Sequence, residues 1–232
     1  MSFSLVCLPF AGGGASFYRT WNRLGVEGVR VLAPQLPGRE ERFADEPFTE
    51  VGKAAAHLAD ETQRLATGDD PVALFGHSFG AMLAHETARE LQARGFSRLR
   101  HLFVSGAPLV PEQRGQWVPD LDDDTFAAGI EEIAGYRHPA FDNPELRAML
   151  LPALRADVAM HQTYRPDPAG RPLALPVTAL RGADDHLVGR AQLEQWSAVT
   201  TGTFRTAELP GGHMYLVDSA RDLLQWTADH LE

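Results

Sequence analysis

Six short apolar runs, each bounded by turn residues, constrain what this chain can fold into. They are Phe3–Pro9, Val29–Pro34, Val72–Phe75, Leu99–Ser105, Val177–Arg181 and Phe204–Leu209. Most are continuously apolar rather than alternating, which is typical of parallel strands covered on both faces. Between these runs, apolar residues recur at helical spacing over Phe48–Ala66 and Phe79–Arg94, and Gly95 fits a C-cap for the second helix. This order predicts an α/β fold with a mostly parallel, doubly wound sheet.

The alternation breaks once, at about residues 111–165, where no strand pattern is present. Asp122–Asp124 precede the helical sequence TFAAGIEEIAGY and are suited to cap it. Pro144 then begins a second helical stretch, in which Pro152 predicts a break or kink. We therefore predict one domain over residues 1–232 with a helical lid inserted at about 111–165. Two ordinary packing helices are the alternative.

The composition argues against several classes of function. The 232 residues carry a formal net charge of −10, which disfavours binding to nucleic acid or to an anionic membrane. No apolar run is long enough to span a membrane, and the N-terminus lacks the basic region and cleavage site of a secretory signal. The single cysteine, Cys7, lies in a strand-like run, where a buried, inert thiol is expected. We expect a cytoplasmic protein.

A serine between two glycines marks the junction of the third apolar run and the following helix. The sequence GHSFG, Gly76 to Gly80, matches G-x-S-x-G in the strand–turn–helix context that a nucleophile elbow requires. The sharp turn needs small residues two positions before and after Ser78, and it presents the hydroxyl at the carboxyl edge of the sheet. The N–H of Phe79 points into the same space. A structural turn flanked by glycines is the alternative.

A serine nucleophile needs a base that an acid orients, and the order expected after this motif is serine, acid, histidine. GADDHLV follows the fifth run, and PGGHMYL places His213 in a glycine-rich loop after the sixth. His213 is the predicted base, and His186 is its main rival. The acid is Asp184 or Asp185. We favour Asp185, because its spacing to Val188 lets the carboxylate face the site while the valine packs inward.

A second glycine-rich loop follows the first run, in the sequence PFAGGGAS from Pro9 to Ser16. Its glycines permit a close approach of the backbone to a substrate oxygen. We predict that the N–H of Ala11 acts with that of Phe79 as an oxyanion hole. A phosphate-binding loop is the alternative, but neither G-x-G-x-x-G nor G-K-[ST] is present. No residues have the spacing of metal ligands.

Five motifs together resemble the type II thioesterases, which are stand-alone α/β-hydrolases that accompany non-ribosomal peptide and polyketide synthases. They are PFAGG (Pro9–Gly13), PQLPGREERF (Pro34–Phe43), GHSFGA (Gly76–Ala81), GADDHLV (Gly182–Val188) and GGHMYL (Gly211–Leu216). The resemblance covers nearly the whole chain. The first two motifs in combination are much more specific than the serine motif.

The resemblance implies a serine thioesterase that hydrolyses acyl thioesters on the phosphopantetheine arm of acyl- or peptidyl-carrier proteins and so removes stalled or misprimed groups. By motif position it implies Ser78 as nucleophile, Asp185 as acid and His213 as base. The N–H groups of Ala11 and Phe79 supply the oxyanion hole, although methionine is common at position 79. The family implies no metal, no bound cofactor and a mobile lid.

Other interpretations stay open. A general small-acyl carboxylesterase, or a product-releasing or acyl-transferring thioesterase, would carry the same triad, and a non-catalytic binding protein would not need one. Arg39 and Arg42 either contact the pantetheine phosphate or the carrier, or tie down their loop through nearby acids such as Glu40, Glu41 or Asp45. A monomer is the default expectation.

Overall fold

In the computed structural model, which describes residues 2–111, 121–167 and 169–231, six strands form one sheet. They are β1 (Phe3–Leu8), β2 (Val29–Leu32), β3 (Val72–His77), β4 (Leu99–Ser105), β5 (Val177–Gly182) and β6 (Phe204–Leu209). The spatial order is β2-β1-β3-β4-β5-β6, and every neighbouring pair is parallel. The predicted parallel sheet is confirmed, with small differences at the strand ends.

The described residues also form seven α-helices. They are α1 (Ala15–Arg19), α2 (Val51–Leu65), α3 (Phe79–Ala93), α4 (Asp123–Ala134), α5 (Pro144–Thr163), α6 (Arg190–Glu194) and α7 (Ala220–Asp229). Short 3-10 helices lie at Thr20–Leu24, Glu40–Arg42, Pro139–Asp142, Gln195–Val199 and Tyr215–Val217. None of the helices in these ranges is long and apolar enough to cross a membrane.

Both faces of the sheet are covered, which explains why its strands are continuously apolar. Successive side chains of a strand point to opposite faces. In β1, Val6 and Leu8 pack into the apolar cluster that includes residues of α2 and α3, whereas Leu5 and Cys7 pack into the cluster on the side of α1 and α7. All four side chains are fully buried. Burial also raises the pKa of the Cys7 thiol.

The strand order reverses at β1 and β3, which are neighbours in the middle of the sheet. In an open parallel sheet, the connections at such a point leave towards opposite faces and open a crevice at the carboxyl ends of the strands. The loop that begins at Pro9 follows β1, and the turn at Ser78 follows β3. The topology therefore brings the two predicted parts of the oxyanion hole to the same crevice.

The insertion between β4 and β5 is helical where the structure describes it. Over residues 121–165 it contains α4, the 3-10 helix Pro139–Asp142 and α5. The Asp122 carboxylate accepts hydrogen bonds from the N–H groups of Asp124 and Thr125, as expected for an N-cap. Residues 112–120 of the predicted insertion lie outside the described residues.

Of the two outcomes predicted for Pro152, the break is wrong, because α5 continues through the proline, and the kink stays a prediction. A proline inside a helix removes one intrahelical hydrogen bond and crowds the preceding turn. Packing offsets this cost: Leu151 and Leu154 lie in a small apolar cluster with Phe126 and Phe141. These contacts hold the helix on both sides of the proline.

Two glycine-to-alanine variants test how tightly α3 packs on the end of β1. A methyl group at Gly80 would lie 2.8 Å from the carbonyl oxygens of Leu8 and Pro9, whereas one at Gly52 in α2 would meet nothing within 4 Å. We expect Gly80→Ala to lower the free energy of unfolding by about 1–3 kcal/mol through overpacking. Gly52→Ala should raise it by up to about 1 kcal/mol through helix propensity. Urea unfolding measures both changes, and equal stabilities of the two variants would contradict the close approach.

Candidate active site

Ser78 lies in a sharp turn between β3 and α3, in a backbone conformation that residues other than glycine rarely adopt. Its φ is 54° and its ψ is −120°. A Cβ at Gly76 would collide with the carbonyl group of Gly80, and one at Gly80 would press on the carbonyl oxygen of Leu8. Such strain persists only where the surroundings enforce it. This is the geometry that the G-x-S-x-G spacing predicts for a nucleophile elbow.

A buried polar network supports the turn from below. The N–H of Ser78 donates to the carbonyl oxygen of Ser105 at 2.7 Å. Nδ1 of the fully buried His77 lies 3.0 Å from Oγ of Ser105, which in turn lies 2.7 Å from the hydroxyl of Tyr215. Burial, and then the charge of His213, lower the pKa of His77 well below its usual value. His77 is therefore neutral at neutral pH and acts as a fixed hydrogen-bonding group.

His213 and Asp185 are joined by a hydrogen bond. Nδ1 of His213 lies 2.9 Å from Oδ2 of Asp185, and the carboxylate side chain is fully buried. They follow β6 and β5, which are neighbouring strands. Because an ionised carboxylate only accepts, Nδ1 donates and Nε2 is the nitrogen available to take a proton. His186, the rival base, is exposed.

The structure brings Asp185 rather than Asp184 to His213. Oδ1 of Asp185 also accepts hydrogen bonds from the N–H groups of Leu187 and Val188, at 2.8 and 3.2 Å. Burial on its own would raise the pKa of this carboxyl, but the hydrogen bond and charge of His213 and the two N–H groups outweigh it. The pKa of Asp185 is therefore lowered. Asp184 is exposed and Val188 is buried, in the arrangement that their spacing predicts.

Ser78 and His213 line one cavity, with a volume of about 620 Å³. Ala11 and Phe79, the predicted oxyanion donors, line it as well. Helices α4 and α5 supply apolar side chains to the same cavity: Ile130, Ile133, Leu150, Leu154 and Val158. Of the residues described, no three His, Cys, Asp or Glu side chains are grouped to hold a metal ion. The arrangement suits a nucleophile and a base acting on a substrate with an apolar group.

Arg39 has a role that neither prediction anticipated. Its Nη1 and Nη2 lie 2.8 and 2.9 Å from the two carboxylate oxygens of Asp157 in α5, and both side chains are buried. Arg39 is therefore paired with an acid outside its own loop, and its guanidinium is buried. The sequence predictions missed this ion pair because it is a tertiary contact, in which the partner of Arg39 lies 118 residues further along the chain. Arg42 does pair with Asp45, at 2.8 Å, which confirms the local alternative for that residue.

The sequence does contain a signal for Asp157, which our sequence analysis missed. Asp157 lies three residues after Leu154 and three before Met160, and all three side chains are buried on one side of α5. A carboxylate on the buried face of a helix is costly unless a hydrogen-bonded cation accompanies it. The pattern therefore indicates a buried ion pair, although it does not name the cation.

A family model described as the thioesterase domain matches residues 3–231. The chain belongs to the thioesterase family. It is 33% identical to the gramicidin S biosynthesis protein GrsT of Aneurinibacillus migulanus, over 98% of this chain and 88% of that protein. It is 36% identical to thioesterase PikA5 of Streptomyces venezuelae, over 98% of this chain and 80% of that protein.

A solved structure extends the similarity to the fold. The type II thioesterase BorB from the borrelidin biosynthetic cluster superposes with a TM-score of 0.86 at 37% identity. The match covers 100% of this chain and 94% of that one. The resemblance of this thioesterase to the type II thioesterases, and its α/β-hydrolase fold, are thereby confirmed.

The lowered pKa of Asp185 makes part of the stability depend on pH. A carboxyl whose pKa in the folded state lies below its unfolded value of about 4 stabilises the fold above that pH. The stabilisation is lost as the pH falls through the folded pKa. We expect the difference in unfolding free energy between the wild type and Asp185→Asn to be steady near neutral pH and to shrink below about pH 4.

Denaturant unfolding at a series of pH values measures this difference. Asp184→Asn is the matched control, because it removes an exposed carboxylate that does not contact His213. A difference for Asp185→Asn that stays constant into strong acid would contradict a stabilising bond between an ionised Asp185 and His213.

Proposed function

We propose that this thioesterase hydrolyses acyl groups from the phosphopantetheine arm of carrier proteins and so clears stalled or misprimed assembly lines. Ser78, His213 and Asp185 form its catalytic triad. The observation that carries the proposal is the 2.9 Å bond between His213 and Asp185, beside a cavity that His213 shares with Ser78. The relatives named for gramicidin S and borrelidin biosynthesis support a role beside peptide and polyketide synthases.

Acylation begins when Oγ of Ser78 attacks the thioester carbonyl and Nε2 of His213 takes its proton. Asp185 stabilises the resulting imidazolium through Nδ1. The carbonyl oxygen becomes an oxyanion, which the N–H groups of Ala11 and Phe79 hold. The second of these begins α3, where the helix dipole favours negative charge. Each such donor contributes about 3–4 kcal/mol to the stability of the transition state.

Collapse of the tetrahedral intermediate breaks the carbon–sulfur bond. The pantetheine thiol leaves with the proton that His213 carries, and the acyl group stays on Ser78 as an ester. His213 then takes a proton from a water molecule, whose oxygen attacks the ester. A second collapse releases the free acid and returns the proton to Oγ of Ser78.

We also propose that the chain is one domain over residues 1–232 and that its insertion at about 111–165 is a lid. Helix α4, the 3-10 helix Pro139–Asp142 and the first part of α5 pack in a small apolar cluster, which Ala11 also contacts. The second part of α5 is anchored, because Met160 is buried in the main cluster beside α3. We therefore expect α4 and the start of α5 to move. Their movement would admit the acylated phosphopantetheine arm to Ser78.

Two neighbouring aspartates provide a matched test of the triad. We expect Asp185→Asn to lower kcat by about 10⁴-fold, because His213 loses the group that holds its proton on Nδ1. Asp184→Asn should leave kcat near the wild-type value, and Ser78→Ala should abolish turnover. Steady-state hydrolysis of an acetyl-pantetheine thioester measures all three. Similar losses in the two asparagine variants would contradict the assignment of the acid.

The substrate class is tested by presenting the same acyl group in three different substrates. An acetylated carrier protein, free acetyl-pantetheine thioester and a matched oxygen ester are compared at equal acyl concentrations. We expect kcat/KM on the carrier protein to exceed that on the free thioester by about tenfold or more, since contacts with the carrier add transition-state binding. Ser78→Ala is the control for enzyme-dependent release. Equal or faster turnover of the oxygen ester would indicate a general carboxylesterase instead.

A further inference from the structure

We propose that the buried ion pair between Arg39 and Asp157 positions the oxyanion hole. The pair holds the loop Pro9–Gly14, called the oxyanion loop below, in the orientation that directs the N–H of Ala11 at the tetrahedral intermediate. Arg39 and Asp157 touch no reacting atom and act through the loop, so both are positioning residues. The inference rests on the proposed function, which makes Ala11 an oxyanion donor.

The ion pair forms hydrogen bonds with the backbone of two successive residues of the oxyanion loop. Oδ2 of Asp157 accepts the N–H of Gly12 at 2.9 Å. Nη1 of Arg39, which also bonds to Asp157, donates to the carbonyl oxygen of Gly13 at 3.0 Å. One acceptor and one donor of the same ion pair therefore hold the backbone immediately after Ala11.

A hydrogen bond within the loop closes a turn, but a bond within the loop does not orient the loop relative to the rest of the protein. The N–H of Gly13 donates to the carbonyl oxygen of Phe10 at 2.8 Å, so Ala11 and Gly12 are the two central residues. Gly12 has a φ of +72°, and a Cβ there would lie 3.0 Å from Cδ1 of Leu154 in α5. The local bond sets the shape of the turn. The ion pair sets how the turn is oriented towards α5 and Ser78.

The pair itself is rigid. The side chains of Arg39 and Asp157 are 4% and 0% exposed, and two parallel N–H···O bonds join the planar guanidinium to the carboxylate. Any movement that separates them leaves a charge buried without a partner. The loop therefore has few alternative orientations, and little reorganisation is needed when the oxyanion forms.

A positioning role of this kind has a kinetic signature. An oxyanion donor binds the transition state better than the ground state, so its displacement lowers kcat and leaves KM for the thioester nearly unchanged. The affinity for an inhibitor that forms a tetrahedral adduct with Ser78 falls in the same proportion. A role in stability alone lowers the amount of folded enzyme and leaves kcat per intact active site as it was.

Three changes to the pair are informative. Arg39→Lys keeps the positive charge but not the planar fork, and Asp157→Asn keeps the shape but not the negative charge. The double variant Arg39→Met with Asp157→Val removes both charges, a replacement that buried ion pairs often tolerate. It leaves the N–H of Gly12 and the carbonyl of Gly13 without their partners. The two single variants carry the test if the double variant does not fold.

Asp60→Asn is the matched control. It removes a carboxylate that pairs with Arg94 at 2.5 Å, and this pair lies between α2 and the end of α3, outside the helical insertion and the cavity lining. The control thus carries the same chemical change as Asp157→Asn in an ion pair away from the proposed lid.

Active sites are counted by complete reaction of Ser78 with a fluorophosphonate, and kcat, KM and the Ki of an alkyl boronic acid are then measured. We expect kcat per titrated site to fall about 10²–10³-fold in the double variant, the loss typical of one oxyanion donor, and less in the single variants. Ki should rise by a similar factor while KM changes little. Asp60→Asn should retain the wild-type values.

Two results would overturn the inference while leaving the proposed function intact. One is full kcat per titrated site in the folded pair variants, and the other is a rise in KM with kcat and Ki unchanged. If the fluorophosphonate fails to label Ser78 in the wild type, or Ser78→Ala still hydrolyses the thioester, the proposed function fails and the inference fails with it. Labelling of Ser78 separates these cases.

Discussion

Parallel pairing of β1 with β3 is the constraint on which the rest of the site depends. Leu8 pairs with Gly76 in the register of these strands, so β1 ends within one residue of the end of β3. The loop with Ala11 and the turn with Ser78 therefore start side by side. A shift of one residue between the strands would displace the loop from the turn by about 3.3 Å, which is more than the length of a hydrogen bond.

Hydrogen bonds between buried polar groups orient the residues that the sheet brings together. His213 bonds to Asp185, His77 bonds to Ser105 beneath the turn at Ser78, and the ion pair of Arg39 and Asp157 bonds to the backbone of the loop Pro9–Gly14. Each of these bonds joins segments that are far apart in sequence, in surroundings where an unpaired polar group is costly. They therefore limit the orientations of Ser78, His213 and this loop together. Such pre-organisation is the main source of electrostatic stabilisation in enzymes.

What the sequence predicts well here is what depends on neighbours along the chain. The strands follow from continuous apolar runs, and the sharp turn follows from two glycines around Ser78. The contact of His213 with Asp185 rather than Asp184 agrees with the spacing of three residues to a buried valine. The failures depend on tertiary contacts. Pro152 does not end its helix, because packing on both sides supports it. The partner of Arg39 could not be identified from the acids of its own loop.

The burial of Cys7 matters for an enzyme that handles thioesters. A thiolate exchanges readily with thioesters and with disulfide reagents, and the protonated thiol does not. Cys7 is fully buried in β1, and its raised pKa keeps it protonated. The enzyme therefore keeps its single thiol out of the acyl-exchange chemistry that its substrates would otherwise undergo with it. For the same reason, a disulfide dye that reports released pantetheine reads the product thiol and not the native protein.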